Sequence, residues 1–252
     1  MNFTFGIITD GKNDSFIKII IDSIIDNKIP NYEIIIVGNT KIENSENINI
    51  FYFDEKIKEG WLTKKKNIVI QKAIYENVVI IHDYVKFDND WYDGFLKFGD
   101  NYKLCITKIK NKDNTRYRDY TLFPYKVDYL NINYAPCDIT NYFNNNCLLP
   151  YSFKNSITTN KYLYISGAYF VVKKYIGLAF PHDETLLQNG GDDVEWCKRL
   201  HNNKIIIECN SYSSVTLLKY KTPMSWENVI DEDNINKLVN FCNNSYDLLQ
   251  NI

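Results

Sequence analysis

"NVVIIHD", residues 77 to 83, decides how the rest of the chain is read. Its apolar residues are continuous, so neither face of a strand built from them is left polar, and such runs suit parallel strands covered on both sides. The same signature recurs in "FTFGIIT" (3–9), "YEIIIVG" (32–38), "INIFYF" (48–53) and "KLCITKI" (103–109). Between these runs, residues 14–27 and 60–77 have helical length and spacing, and 90–98 opens on an aspartate suited to a cap. The order βαβ-βαβ-α predicts an α/β protein with a mostly parallel, doubly wound, Rossmann-like sheet flanked by helices.

Downstream, residues 110 to 160 are rich in Tyr and Asn without periodicity and read as an insertion over the sheet edge. Order returns with "YLYISGAYFVV" (162–172), a helix over 192–202, a strand at 204–209 and a last helix from about 225 to 250. With no repeat and no linker, the 252 residues are read as one domain.

The formal net charge of −2 is spread along the chain and gives no basic field for nucleic acid. Six cysteines form no C-x-x-C pair and no ligand-spaced cluster with the three histidines, which predicts neither zinc nor disulfides and fits a reducing, cytoplasmic setting. The opening "MNFTFGIITDG" shows no charged n-region or cleavage site, and no apolar stretch nears the roughly 18 residues of a membrane span, so a soluble, untargeted protein is expected. The excess of Asn, Ile, Lys and Tyr is the codon bias of an AT-rich genome.

In an open α/β sheet, ligands collect at the carboxyl ends of the strands. Those ends are polar here: Thr9, Asp10 and Gly11, then Gly38, Asn39 and Thr40, then His82, Asp83 and Tyr84. Each set alone is ordinary turn chemistry, but together they mark one edge. Asp83, ending a buried strand, is the type of acid that holds a hard divalent cation against a diphosphate. A literal D-x-D at Asp88–Asp90 precedes a helix and reads as capping. "TKKKN" (63–67) opens a helix and offers a lysine to phosphates.

"NGGDDVEWCKRL", residues 189–200, carries the proton chemistry. Asp192 and Glu195 have the spacing of a capping box. That leaves Asp193 unassigned, at the positive end of a helix that favours its ionised form, where it is able to take a proton from an attacking hydroxyl. Val194, Cys197 and Leu200 form the buried stripe, and Trp196 is read either as core or as a platform for an acceptor sugar.

These segments resemble the family-2 kind of GT-A glycosyltransferase across nearly the whole chain. "GGDDVEWCKRL" is similar to the family's G-x-E-D-x-(E/D)-x-x-x-R element, which implies that Asp193 is the general base, that Asp192 replaces the Glu, and that Arg199 takes the basic position. The resemblance implies an inverting transfer from a nucleoside diphosphate sugar, a UDP-sugar favoured, to a hydroxyl of a glycan or protein. It implies Mn2+ or Mg2+ on Asp83, with His82 as helper. The nucleotide would meet Thr9, Asp10, Gly11, Gly38 and Asn39, together with Lys65, Lys66, Asn67 and His82. Ser166, Gly167, Asp192 and Trp196 would border the donor sugar and acceptor. Residues 1–109 then form the nucleotide-binding half and 110–252 the acceptor-binding and catalytic half. The chain departs from the family by having one acid in His82-Asp83-Tyr84, no paired aspartates after the second strand, and no late histidine beyond His201. Two alternatives are a non-catalytic nucleotide- or glycan-binding relative and a nucleotidyltransferase, the latter expected to carry a glycine-rich basic loop where "TDGKNDSF" has one glycine and one lysine.

Overall fold

A computed structural model describes residues 1–122, 147–186, 191–222 and 229–250, the stretch 244–250 as backbone only. The elements in chain order are β1 (Phe3–Ile8), α1 (Asp14–Asp26), β2 (Tyr32–Val37), β3 (Ile48–Phe51), α2 (Leu62–Lys72), β4 (Asn77–His82), β5 (Val85–Phe87), α3 (Trp91–Phe98) and β6 (Leu104–Lys110). There follow β7 (Thr121–Leu122), β8 (Cys147–Leu148), β9 (Leu163–Tyr164), β10 (Tyr169–Lys173), α4 (Lys174–Ala179), α5 (Asp192–Asn202), β11 (Ile207–Leu217) and α6 (Glu232–Gln250).

The main sheet has the order β3-β2-β1-β4-β10-β6-β11-β5. The predicted parallel half is present: β1 pairs in parallel with β2 and β4, and β2 with β3. The second half is mixed. β10 inserts antiparallel between β4 and β6, β6 pairs in parallel with β11, and β5 closes the edge antiparallel to β11. "YLYISGAYFVV" supplies two strands: β9 joins the small sheet β8-β7-β9, the chain turns at 165–168, and β10 enters the main sheet. The last strand starts three residues later than its apolar run and continues to Leu217 across an irregularity between Asn210 and Ser214. Of the 110–160 region, the described parts supply β7 and β8, while residues 123–146 lie outside the described residues, as do 225–228 at the expected start of the last helix.

Alternation along the strands builds two cores. Phe3, Phe5 and Ile7 of β1 face α1 and α3, whereas Ile8, Val78 and Ile80 face α2, α4 and α5. Gly6 lies on the second face because α2 passes there: a Cβ at Gly6 would sit 2.1 Å from Cγ1 of Val69. Gly6→Ala is therefore expected to destabilise the fold by about 1–3 kcal/mol, as overpacking does, read from urea denaturation. Among the described residues, no helix is long and apolar enough to cross a membrane.

Candidate active site

The carboxyl edge of β1 and β4, the first turns of α2 and α5, and the turn 166–168 enclose a cavity of about 1050 Å³. Thr9, Asp10, Lys65, Lys66, His82, Asp83, Ser166, Gly167, Asp192 and Asp193 all line it, so ten residues singled out from sequence come together in one place.

Thr9 organises the β1 side. Its buried hydroxyl donates to Oδ2 of Asp83 at 2.6 Å and accepts from the Gly11 amide at 3.0 Å, while Nζ of Lys65 donates to its carbonyl at 2.7 Å. Gly38 supports this turn from β2. Its φ is +148°, and a Cβ there would lie 2.3 Å from the Thr9 carbonyl oxygen, so only glycine fits. Gly11 and Gly38 thus shape the floor without lining the cavity, and Asn39 is exposed beyond it. Asp10 lines the rim and pairs with Lys12 at 2.9 Å.

Strand alternation sends His82 and Asp83 apart. Asp83 turns toward Thr9 and Asn13, whose Nδ2 donates at 3.2 Å to the same Oδ2, and burial holds its carboxyl above the ordinary value despite those bonds. His82 turns toward Lys66 and Asp192. Burial, reinforced by the Lys66 charge, pushes its pKa down to about 3, leaving it neutral with Nε2 unpartnered among the described residues. These residues form no all-protein cage for a metal. Oδ2 of Asp83 is committed to Thr9 and Asn13, the imidazole points elsewhere, and no group of three His, Cys, Asp or Glu assembles among the described residues, so a cation here would have Oδ1 of Asp83 and would draw its remaining ligands from phosphate and water.

On the α5 side the capping box is replaced. Gly191, in the left-handed region at φ +71°, is the residue that precedes the helix, and Asp192 is its first member. Asp192 is drawn instead to Lys66, whose Nζ lies 2.7 Å from Oδ2 with both groups nearly buried, an ionic bond stronger than a neutral cap. Glu195 pairs with Arg199. Asp193 is half-buried and opens to the cavity. Its Oδ2 accepts from the Gly167 amide at 3.2 Å, and its Oδ1 from the Val194 amide at 3.0 Å. A Cβ at Gly167 would press on both Asp193 and Lys66 at 3.2 Å, which gives that turn its small residue.

The two adjacent carboxyls are pushed in opposite directions. Burial raises Asp192, but the Lys66 ammonium outweighs it and holds the carboxyl below its ordinary value. Burial and then the Asp192 charge raise Asp193, with Lys66 and Arg118 opposing. The two environments pull the pair apart, Asp192 toward the ionised form and Asp193 toward the protonated one.

Two expected contacts are corrected. Trp196 is fully buried, donates from Nε1 to the Phe180 carbonyl at 2.6 Å and stacks on His182 with ring centroids 4.3 Å apart, so it is core and not a sugar platform. Asn67 sits one turn into α2, facing away from the cavity, and exchanges hydrogen bonds of 2.9 and 2.8 Å with the backbone of His182. Lys65 lines the cavity but is engaged by Glu55, and Lys64 pairs with Glu184. The Asp88–Asp90 pair binds Ser214 and Thr216 of β11; Asp90 precedes α3 but makes no side-chain cap bond, so the expected cap is replaced by a tie to the sheet.

No protein-family model and no curated protein matches the sequence. Among solved structures, the chain is similar to S. aureus TarS 1-349 in complex with UDP-GlcNAc, with a TM-score of 0.53 and 11% identity over 96% of this chain and 65% of that one. It is also similar to GalNAc-T7 with UDP, GalNAc and Mn2+, with a TM-score of 0.59 and 12% identity over 88% of this chain and 44% of that one. The chain has the fold of the GT-A glycosyltransferases. It spans less than two-thirds of the length of either structure.

Within this GT-A fold, the cavity also contains residues that the sequence reading passed over: Asn13, Tyr117, Arg118, Tyr164, Lys219 and Lys221. Arg118 donates to the Tyr164 hydroxyl and reaches Asp193 electrostatically. The one available signal was composition. The chain has three arginines, a sparse choice in a lysine-rich sequence, and each makes a directed contact, to Asp119, Tyr164 or Glu195.

Proposed function

We propose that this chain transfers a sugar from a nucleoside diphosphate sugar to a hydroxyl, with inversion, and that Asp193 is the general base. The observation that carries this reading is the Asp192–Asp193 pair: one carboxyl locked by Lys66, the next raised and open to a large cavity at the carboxyl edge of a GT-A sheet. The acceptor hydroxyl gives its proton to Asp193 as its oxygen bonds to the anomeric carbon. The bond from that carbon to the diphosphate breaks on the opposite face, and the leaving oxygen keeps the electron pair. The turn of Thr9 and Asp83 receives the nucleoside, and Ser166 and Gly167 border the transferred sugar. A uridine diphosphate sugar is supported as donor by the complexes of the two similar structures, one with UDP-GlcNAc and one with UDP and GalNAc. The acceptor is a hydroxyl of a glycan or protein.

The test is slow donor hydrolysis. Purified protein is mixed with UDP-, GDP-, CDP- and dTDP-sugars, and nucleoside diphosphate release is followed by chromatography. Release from one nucleotide series, lost in Asp193→Asn, is expected. Binding of a nucleotide sugar without release in any condition, with or without acceptor glycans, would convert the reading to a non-catalytic binder.

A further inference from the structure

Among the described residues, seven cations and six carboxylates line the cavity. Three of its cations are matched: Lys12 by Asp10, Lys65 by Glu55 and Lys66 by Asp192. The cavity is also lined by Tyr84, Tyr117, Arg118, Lys219 and Lys221. No carboxylate among the described residues bonds to Lys219 or Lys221. Like charges face one another there: burial first, then the charges of Lys219 and Arg118, lower the pKa of Lys221.

Lys219 is exposed, whereas Lys221 and Arg118 are held in place. The Lys221 backbone is clamped by the fully buried Asn111, which accepts from its amide at 3.0 Å and donates to its carbonyl at 2.8 Å. Nζ of Lys221 lies 4.9 Å from the Tyr84 ring centroid. Arg118 adopts a φ of +42°, a costly backbone for a side-chain-bearing residue, and its guanidinium is held on Tyr164. Folding that gathers mutually repelling cations around open space leaves a place for an anion. Arg118 is within electrostatic reach of both Lys221 and Asp193, so an anion bound here lies next to the proposed base.

We propose that Arg118, Lys219 and Lys221 bind the diphosphate of the donor and neutralise the leaving oxygen, so that transfer runs without a divalent cation. The inference rests on the glycosyltransferase reading above and answers the poor metal donor set around Asp83. In the step, the bond from the anomeric carbon to the phosphate oxygen breaks, its electron pair stays on that oxygen, and the charge is met by the three side chains. The acceptor proton goes to Asp193. No metal is needed for balance.

The experiment is calorimetric titration with UDP, GDP, CDP and dTDP and with the matching nucleosides, in EDTA and in Mn2+, using wild type, Lys219→Ala/Lys221→Ala and the charge-keeping Lys219→Arg/Lys221→Arg. One diphosphate is expected to bind in EDTA within about threefold of its affinity in Mn2+. The alanine pair is expected to weaken it about 10²-fold, the loss of two charge-assisted contacts, with the nucleoside unaffected and the arginine pair close to wild type. Thermal melting confirms that each variant is folded. Diphosphate binding that requires Mn2+, or that ignores the alanine pair, overturns this inference and leaves the transferase reading in place. Absence of nucleotide binding by wild type in either buffer rejects both.

Discussion

Asp193→Asn is expected to lower kcat for transfer by about 10²- to 10⁴-fold, the usual contribution of a positioned general base, with donor KM nearly unchanged. The substitution is nearly isosteric. An amide oxygen still accepts from the Gly167 amide, which lies 3.2 Å from the native carboxylate, so the turn and helix are expected to hold and the melting temperature to stay close to wild type. What is lost is the proton acceptor and the bond from the Val194 amide, since the asparagine NH2 cannot accept it. The pH profile provides an independent reading. The base must be ionised, so activity falls as pH drops through its pKa, and because burial and Asp192 raise that pKa, the acidic limb lies above the ordinary carboxylate value of 3.8. Asp192→Asn removes the neighbouring negative charge and frees Lys66 to act on Asp193, both of which lower the Asp193 pKa; the limb is expected to move to lower pH. A limb that stays in place in Asp192→Asn, or near-native kcat in Asp193→Asn, assigns the proton transfer to another group.

The parallel half of the sheet was legible because β1, β2 and β4 are buried on both faces, while β3 at the edge is only partly covered. "NVVIIHD" and its counterparts ended within a residue or two of the observed strands, since their apolar runs are mostly continuous up to the carboxyl edge. What escaped the reading depends on tertiary pairing. β5 is three residues long, β10 runs against its neighbours, and the irregularity in β11 at Asn210–Ser214 breaks the period that would have extended it. The site divides the same way. Thr9, Asp83 and Asp193 follow strand and helix ends, so their convergence could be read from order alone. Arg118, Lys219 and Lys221 reach the cavity from an irregular segment and from beyond the last strand, and no local pattern announces them. Trp196 was misplaced because helical spacing alone did not reveal that α5 packs both sides of its first turn, one against Phe180 and His182 and the other toward the cavity.

Lys66→Met is expected to cost about 3–5 kcal/mol of stability at neutral pH, because it leaves Asp192 charged, buried and without its partner. Both Lys66 and Asp192 are nearly inaccessible, and the 2.7 Å bond between them is the main compensation for their desolvation. The sign with pH distinguishes this account from simple loss of packing. In wild type the folded pKa of Asp192 is lowered, so its contribution to stability is present above the unfolded pKa and disappears as pH falls through the folded one. In the variant, burial acts unopposed and raises that pKa, so the penalty is full at neutral pH and shrinks as acid protonates Asp192. Urea denaturation at pH 7 and pH 4 would show the gap between variant and wild type closing on acidification; a gap independent of pH would mean that Lys66 contributes through its hydrocarbon stem. The double variant Lys66→Met/Asp192→Asn removes both charges and is expected to recover most of the stability, since discarding a whole buried pair costs far less than breaking it. Its activity separates architecture from chemistry. If Lys66 serves only to hold Asp192, and Asp192 only to hold the first turn of α5, the stable double variant should retain transfer with its acidic limb shifted. If the ammonium itself sets the charge beside Asp193 during the reaction, stability returns and kcat does not.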